Sequence, residues 1–243
     1  MFGGVANNGL THRHKSLLTG LQWYWDLDSA DATITDQHSG LVLTRESTVN
    51  TLLGGAPDGG NCVDFPLGGS TNVYRNLSVA PLQSYSESYT VNIWVRNTAI
   101  SATNGNWYIN HRAGTSPYYF QILSARNPID PQTVSVLMDG SGNIYRIEYP
   151  YTIMNQWFMI TTVVRGHTFE MWINGTIYVS QVRVMTQSTA NAPFAIGNAA
   201  WTPANNLQHQ GQLFAAGVWN KALTGTDINN LYNGGKGKRY DNL

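Results

Sequence analysis

Gly217-Val-Trp-Asn-Lys-Ala-Leu-Thr-Gly-Thr-Asp-Ile-Asn-Asn-Leu-Tyr-Asn233 ends a run that starts at Trp157-Phe-Met-Ile-Thr-Thr-Val-Val164. Between them lie Thr168-Phe-Glu-Met-Trp-Ile-Asn-Gly175 and Gly211 to Trp219. The order is three strand-like pieces followed by one short helix. Thr224 is a good N-cap, and Asp227 stands three residues on, in the capping-box position. Ile228, Leu231 and Tyr232 supply an apolar stripe, and Gly234-Gly235 stops the helix. The spacing predicts a helix over 224–232.

Upstream of this run the pattern is β. Leu21-Gln-Trp-Tyr-Trp-Asp-Leu27 reads as an aromatic strand, followed by Cys62-Val-Asp-Phe-Pro66 and by Asn72 to Leu77 after a turn at Gly68-Gly-Ser-Thr71. Ser88 to Arg96 alternates. Tyr89, Val91, Ile93 and Val95 point one way, and Thr90, Asn92, Trp94 and Arg96 the other. Further strands are expected near 106–111, 118–124, 133–138, 143–148, 156–164, 168–173, 176–182, 193–197 and 211–219. A hairpin turn is expected at Asp139-Gly-Ser-Gly142. Gly54 to Gly60 reads as a loop inside the domain. Many strands, Gly-rich turns and almost no helical periodicity argue for one all-β sandwich or jelly roll.

Composition narrows the function classes. Of 243 residues, 42% are hydrophobic and only 12% charged, with 14 Lys+Arg balancing 14 Asp+Glu. Average domains carry about 25% charged residues. The surface is therefore mostly Asn, Thr, Ser, Gln and Gly, which suits contact with protein or sugar better than electrostatic steering. A net charge of zero gives no sign of a nucleic-acid binder. The single cysteine, Cys62, has no disulfide partner within the chain and reads as a small buried apolar residue. No signal peptide and no membrane-spanning run are visible, so synthesis in a cytoplasm is expected.

Residues 1–19, with His12-Arg-His-Lys15, read as an N-terminal arm. Residues 234–243, with a basic bias, read as a C-terminal arm, and the domain proper is 20–233. Either arm is expected to order against a neighbouring subunit. The two nearby histidines of the first arm read as solvated rather than metal-binding.

The span from about 20 to 233 resembles the laminin-G-like (concanavalin A-like) jelly roll of lectins, glucanases and viral surface proteins. Five stretches carry the resemblance in order: Leu21 to Asp28, Ser88 to Arg96, the hairpin from Gln156 to Gly175 with its Asn-Gly turn, Phe194-Ala-Ile-Gly197, and Gly217 to Asn233. The resemblance implies two antiparallel sheets with one short C-terminal helix. It also implies a place for calcium after the third strand, which maps to Asp64 and Asn72. Asn72 stands where an acid would serve best. Calcium takes about 6–8 oxygen ligands, several of them carboxylates, so the departure argues against a cofactor. The final strand carries Phe214, Ala215, Ala216 and Gly217 where family members often place acids and an Arg.

The enzymes of this architecture need two carboxylates about 5–5.5 Å apart. The strand acids Asp64, Glu148 and Glu170 are each isolated in sequence. Gly-x-Ser-x-Gly and His-Glu-x-x-His motifs are absent. The chain reads as non-catalytic. Binding candidates are the loop-borne Trp201, Tyr118 and Tyr119 after the Arg112-Ala-Gly-Thr-Ser-Pro117 loop, and Trp94, Trp172 and Arg96 on the polar-aromatic strand face.

The leading expectation is a virion structural or adhesive protein: a bacteriophage capsid decoration, head-fibre or tail component. It would bind other virion proteins through its arms, oligomerise on a particle, and contact host-surface glycans. The Leu-Tyr-Asn-Gly-Gly ending with its basic-aromatic tail resembles phage-encoded members of the family. A stand-alone carbohydrate-binding module is the alternative, and a glycan hydrolase the remote one.

Overall fold

A computed structural model describes residues 15–66, 71–80, 88–100, 105–113, 118–124, 133–138, 144–150, 153–182, 190–201 and 207–243. The expected turns at 68–71 and 139–142, and the histidines of residues 1–14, lie wholly or mostly outside the described residues.

Among the described residues sixteen strands run β1 Leu21–Trp25, β2 Thr33–Thr35, β3 Val42–Glu46, β4 Asn50–Leu52, β5 Cys62–Phe65, β6 Val73–Val79, β7 Ser88–Asn97 and β8 Trp107–Arg112. They continue as β9 Tyr118–Ser124, β10 Thr133–Met138, β11 Ile144–Tyr149, β12 Phe158–Arg165, β13 Thr168–Ile173, β14 Thr176–Val182, β15 Ala192–Ile196 and β16 Gly211–Trp219. Two helices, α1 Lys15–Leu18 and α2 Gly225–Tyr232, flank the series. The first sheet has the order β14-β13-β12-β7-β16-β5-β4, with β1 also on β16, and the second β11-β10-β9-β8-β15-β6-β3-β2. All pairings between named strands are antiparallel. The chain is thus the expected two-sheet antiparallel sandwich with one short C-terminal helix.

The alternation in β7 sets the layers. Tyr89, Val91, Ile93 and Val95 join the core between the sheets, where Trp25 stacks on Phe194 at 5.2 Å and His111 lies edge-on to Phe194 at 5.8 Å. Trp94 points to the other side of the first sheet. A second apolar core forms there, from Tyr24, Cys62, Met159, Phe214 and Trp219 below and Leu17, Leu223, Ile228, Leu231 and Leu243 above.

The helix is built as its sequence dictates. The Thr224 side chain accepts from Asp227 N, and Asp227 Oδ2 accepts from Thr224 N at 3.1 Å. Asn174 and Gly175 both take positive φ (51° and 80°), which a two-residue hairpin turn of the primed type requires. In β16, Ala215 is an extra residue at φ 44°, where the register shifts between Phe214 and Ala216. Its N–H is held by Asp26 O at 3.2 Å.

Two expectations are corrected here. The tail 234–243 does not project as an arm. It lies across the outer face of the first sheet, because that face is too aromatic to stay wet. Tyr24 Oη donates to Lys238 O (2.7 Å), Asp26 Oδ1 accepts from Tyr240 N (2.8 Å), and Arg239 pairs with Asp58 (2.7 Å) while its guanidinium covers Phe214 at 4.9 Å. Gly237, at φ 69°, passes so close that a Cβ there would sit 2.8 Å from Phe214 Cε1. Likewise residues 15–18 of the expected N-terminal arm are part of the domain: Leu17 is fully buried, and its carbonyl accepts from Trp219 Nε1 at 2.7 Å.

Candidate functional site

The outer face of the second sheet is organised differently. Here the segment 197–201, leaving β15, is pinned flat on the strands. Asn110 of β8 donates to Asn198 O (2.7 Å) and accepts from Ala200 N (3.0 Å), and Arg75 of β6 donates to Ala200 O (3.3 Å). Asn198, Ala199 and Ala200 are buried, and the segment delivers a partly exposed Trp201 to the end of the sheet.

Trp201 meets two residues from opposite ends of β8. Trp107 lies against it in an edge-on contact at 5.2 Å, and the Arg112 guanidinium lies 4.0 Å from the Trp201 ring centroid and 5.4 Å from that of Trp107. A guanidinium this close to an indole face is held by the ring quadrupole. Arg112 Nη1 also donates to Gln121 Oε1 at 2.6 Å, which fixes the fork from the next strand. Leu123 and Leu207 complete an apolar rim. Trp107 Nε1 and Gln208 Oε1 are buried and have no hydrogen-bond partner among the described residues. An unmet buried donor or acceptor costs about 1–3 kcal/mol. The patch therefore combines an accessible ring, a positioned cation, and one donor and one acceptor left unmet among the described residues.

The other sequence candidates are placed as follows. Trp94 is no binding residue: it is 1% exposed and stacked under Tyr232 of α2, with ring centroids 5.6 Å apart and planes 3° apart. Trp172 is half-buried beside Gly225 at the start of α2, and its indole N–H donates to Glu170 Oε2 at 3.0 Å. Trp94 is thus corrected from ligand surface to packing, because the helix needs an aromatic floor, while Trp172 packs at the helix edge and stays partly exposed. Tyr119 is corrected too. It is buried, with its ring 4.5 Å from His111 and its hydroxyl donating to Ala190 O. Tyr118 opens β9 opposite Arg112 in register, and its side chain lies outside the described residues.

Arg96 is half-buried on the outer face of the first sheet, with Nε donating to Asn155 O at 3.4 Å. Asp64 and Asn72, paired above as calcium ligands, do not converge: Asp64 lies on β5 of the first sheet, and Asn72 leads into β6 of the second. Asp64 accepts from Gln212 Nε2, and Asn72 Oδ1 accepts from Thr48 N at 3.1 Å. No group of three His, Cys, Asp or Glu fit to hold a metal occurs among the described residues. Glu170 is nine-tenths buried, 3.5 Å from Arg165 Nε, and its cross-strand partners are Val163 and Ser180. Among the described residues no helix is long and apolar enough to cross a membrane.

Sequence reading alone does not single out Arg112, Trp107, Gln121 or Gln208. A signal exists in the alternation of Trp107-Tyr-Ile-Asn-His-Arg112, but register shifts at Trp107/Ile109 and His111/Arg112 scramble it.

Burial also sets the ionisation of the inner groups. It lowers the His111 and His209 imidazoles from 6.5 to about 4 and about 3, and it pushes the Cys62 thiol up to about 12. Cys62 is therefore a packed thiol, not a nucleophile.

The family model described as Concanavalin A-like lectin/glucanases superfamily matches residues 68–229. No curated protein sequence matches. Among solved structures, the binding domain of Paraclostridial Mosquitocidal Protein 1 is 16% identical with a TM-score of 0.65, and the match covers 90% of this chain and 53% of that one. The binding domain of botulinum neurotoxin DC in complex with rat synaptotagmin II is 15% identical, TM-score 0.60, covering 90% and 52%. The same domain in complex with SialylT is 15% identical, TM-score 0.59, again covering 90% and 52%. The chain spans about half the length of these neighbours, and the likeness is one of fold.

Proposed function

We propose that this chain, which belongs to the concanavalin A-like lectin/glucanase superfamily, is a non-catalytic recognition module that binds glycans through Trp201 and Arg112 on the outer face of the second sheet. One observation carries the reading: the partly exposed Trp201 ring under a guanidinium that Gln121 locks in place. An aromatic plate beside a planar multi-donor is what a sugar needs, since C–H faces stack on the ring while hydroxyls accept from the fork. The neighbours being binding domains, one in complex with a protein and one with SialylT, supports a binding role. The engagement of Glu170 by Arg165 and Trp172 supports a non-catalytic one, because that carboxylate is committed to packing.

The test is a glycan array followed by titration of the strongest hit. Trp201→Ala is expected to weaken binding by about 1.5–3 kcal/mol, roughly 10- to 100-fold in Kd, with the fold intact. An array without hits, or equal affinity in the variant, overturns the reading.

A virion location is a second reading, favoured by the low-charge amide-rich surface. The C-terminal arm no longer supports it, since that segment folds onto its own domain. Mass spectrometry of purified particles tests it.

A further inference from the structure

The outer face of the first sheet is sealed by α2 and the tail over most of its area, but one row of side chains near its end is polar. Strand register places Asp64 of β5 beside Gln212 of β16, and Gln212 beside Arg96 of β7. Asn50 of β4 extends the row beyond Asp64 and is exposed. Trp157, edge-on to Phe214 at 6.4 Å and tied by its indole N–H to Gly55 O (2.8 Å), stands over the neighbouring position of β16.

Gln212 is the unusual member. It is only 6% exposed, its amide N–H₂ donates to Asp64 Oδ1, and its amide oxygen is buried with no partner among the described residues. Turning the amide over would set two oxygens against each other, so the orphan acceptor is a property of the row rather than of one rotamer. The natural donor is a group entering between Asp64 and Arg96. Arg96 can make way, because its hydrogen bond to Asn155 O is long, at 3.4 Å.

The charges decide what enters. Asp64 and Arg96 flank Gln212 with opposite signs, so a net anion or cation gains little. A metal ion would face one carboxylate with a guanidinium in the same row. A neutral molecule carrying adjacent hydroxyls matches the row: one hydroxyl donates to the Gln212 oxygen or to Asp64, and its neighbour accepts from Arg96. We propose that Asp64, Gln212 and Arg96 form a second carbohydrate subsite, selective for a neutral vicinal diol, on the face opposite Trp201. A single chain then presents two sugar-binding faces back to back and can bridge two glycans. This proposal rests on the recognition reading above only for its bridging consequence.

The experiment is NMR titration of the full chain with three neutral probes: methyl α-mannoside, methyl β-galactoside and the methyl β-glycoside of N-acetylglucosamine. Saturable shifts of the Gln212 side-chain amide and the Arg96 Nε–H resonances are expected with at least one probe, and are expected to persist in Trp201→Ala. Gln212→Met keeps the chain length of the side chain but removes the acceptor, and is expected to abolish the Arg96 shift. Asp64→Asn is the second variant, expected to weaken it at least severalfold should Gln212→Met disturb the fold. Unmoved resonances with all three probes overturn the proposal, as does an Arg96 shift that survives both variants. Loss of the shifts in Trp201→Ala assigns the binding to the other face and overturns it as well.

Discussion

The two outer faces of this sandwich start from similar material and end differently. Each carries tryptophans: Trp94, Trp157, Trp172 and Trp219 on the first sheet, Trp107 and Trp201 on the second. On the first, a capped helix and a tail close over the rings, Tyr232 stacking on Trp94 and Arg239 covering Phe214. On the second, the flat segment 197–201 lies on the strands, and Trp201 stays partly exposed with Arg112 against it. The contrast shows that an aromatic residue on a strand face says little about recognition until its cover is known. The same ring is structure under a helix and surface at the end of a loop.

The largest effect that would break this contrast is truncation of the covered ring. Trp94→Ala is expected to cost about 3–5 kcal/mol in urea unfolding, as large core truncations do, while glycan affinity at Trp201 is retained. A cost below about 1 kcal/mol would mean that α2 and the tail seal the face loosely.

Acidification separates the layers next. His111 and His209 sit inside, held neutral by pKa values lowered from 6.5 to about 4 and about 3. Below pH 6.5 the unfolded chain takes up protons that the folded chain refuses, down to about pH 4 at His111 and about pH 3 at His209. Their contribution is therefore complete above 6.5 and is lost as pH falls. Asp26, under the tail, acts in the opposite sense. Burial raises its carboxyl from 3.8 to about 6, against the pull of the Tyr240 N–H and Arg239. Its contribution is present below 3.8 and is lost as pH rises through about 6. Asp26→Asn is therefore expected to raise stability at pH 7 by about 1–2 kcal/mol. It is also expected to steepen the acid loss between about pH 6 and 4, read by thermal melts across that range. An unchanged acid slope would refute the assignment.

The smallest effect tests the helix alone. Thr224→Ala removes the cap that accepts from Asp227 N and is expected to cost about 1 kcal/mol, with binding at Trp201 unchanged.

The fold is legible in sequence wherever a pattern runs long enough to stand above chance. β7 has ten residues with a clear alternation, and α2 has both halves of its capping box, so each is readable from its own residues. β2, β3 and β4 carry no such signal. They are three to five residues long, mostly exposed, and gain their identity only by pairing with one another's neighbours β6 and β5. The tail misleads because its glycines and cations, Gly237 and Lys238 among them, look like a solvated arm. Their docking depends on Asp26, Asp58 and Tyr24, far away in sequence. Of the candidate site, Trp201 is legible as a loop aromatic, whereas Arg112 is hidden by the register shifts of β8. Asp36 shows the same limit. It looks like an ordinary loop acid, yet it is buried and its carboxylate accepts from the backbone N–H groups of Tyr24, His38 and Ser39.

Ala215 ties the two layers together. β16 serves the inner core with Leu213, Ala216 and Val218, and the outer one with Phe214, Ala215 and Trp219. A strict two-residue rhythm from Leu213 would send Ala216 and Val218 outward and Trp219 inward. The single left-handed residue acts as a phase slip that resets the count, as a dislocation does in a crystal row. Ironing that residue flat into the ladder would therefore exchange the clientele of the two faces, handing Trp219 to the inner core and Val218 to the helix side. Deleting it outright would leave the partition intact, because Phe214 and Ala216 would then alternate of their own accord. The strand is thus more sensitive to being straightened than to being shortened.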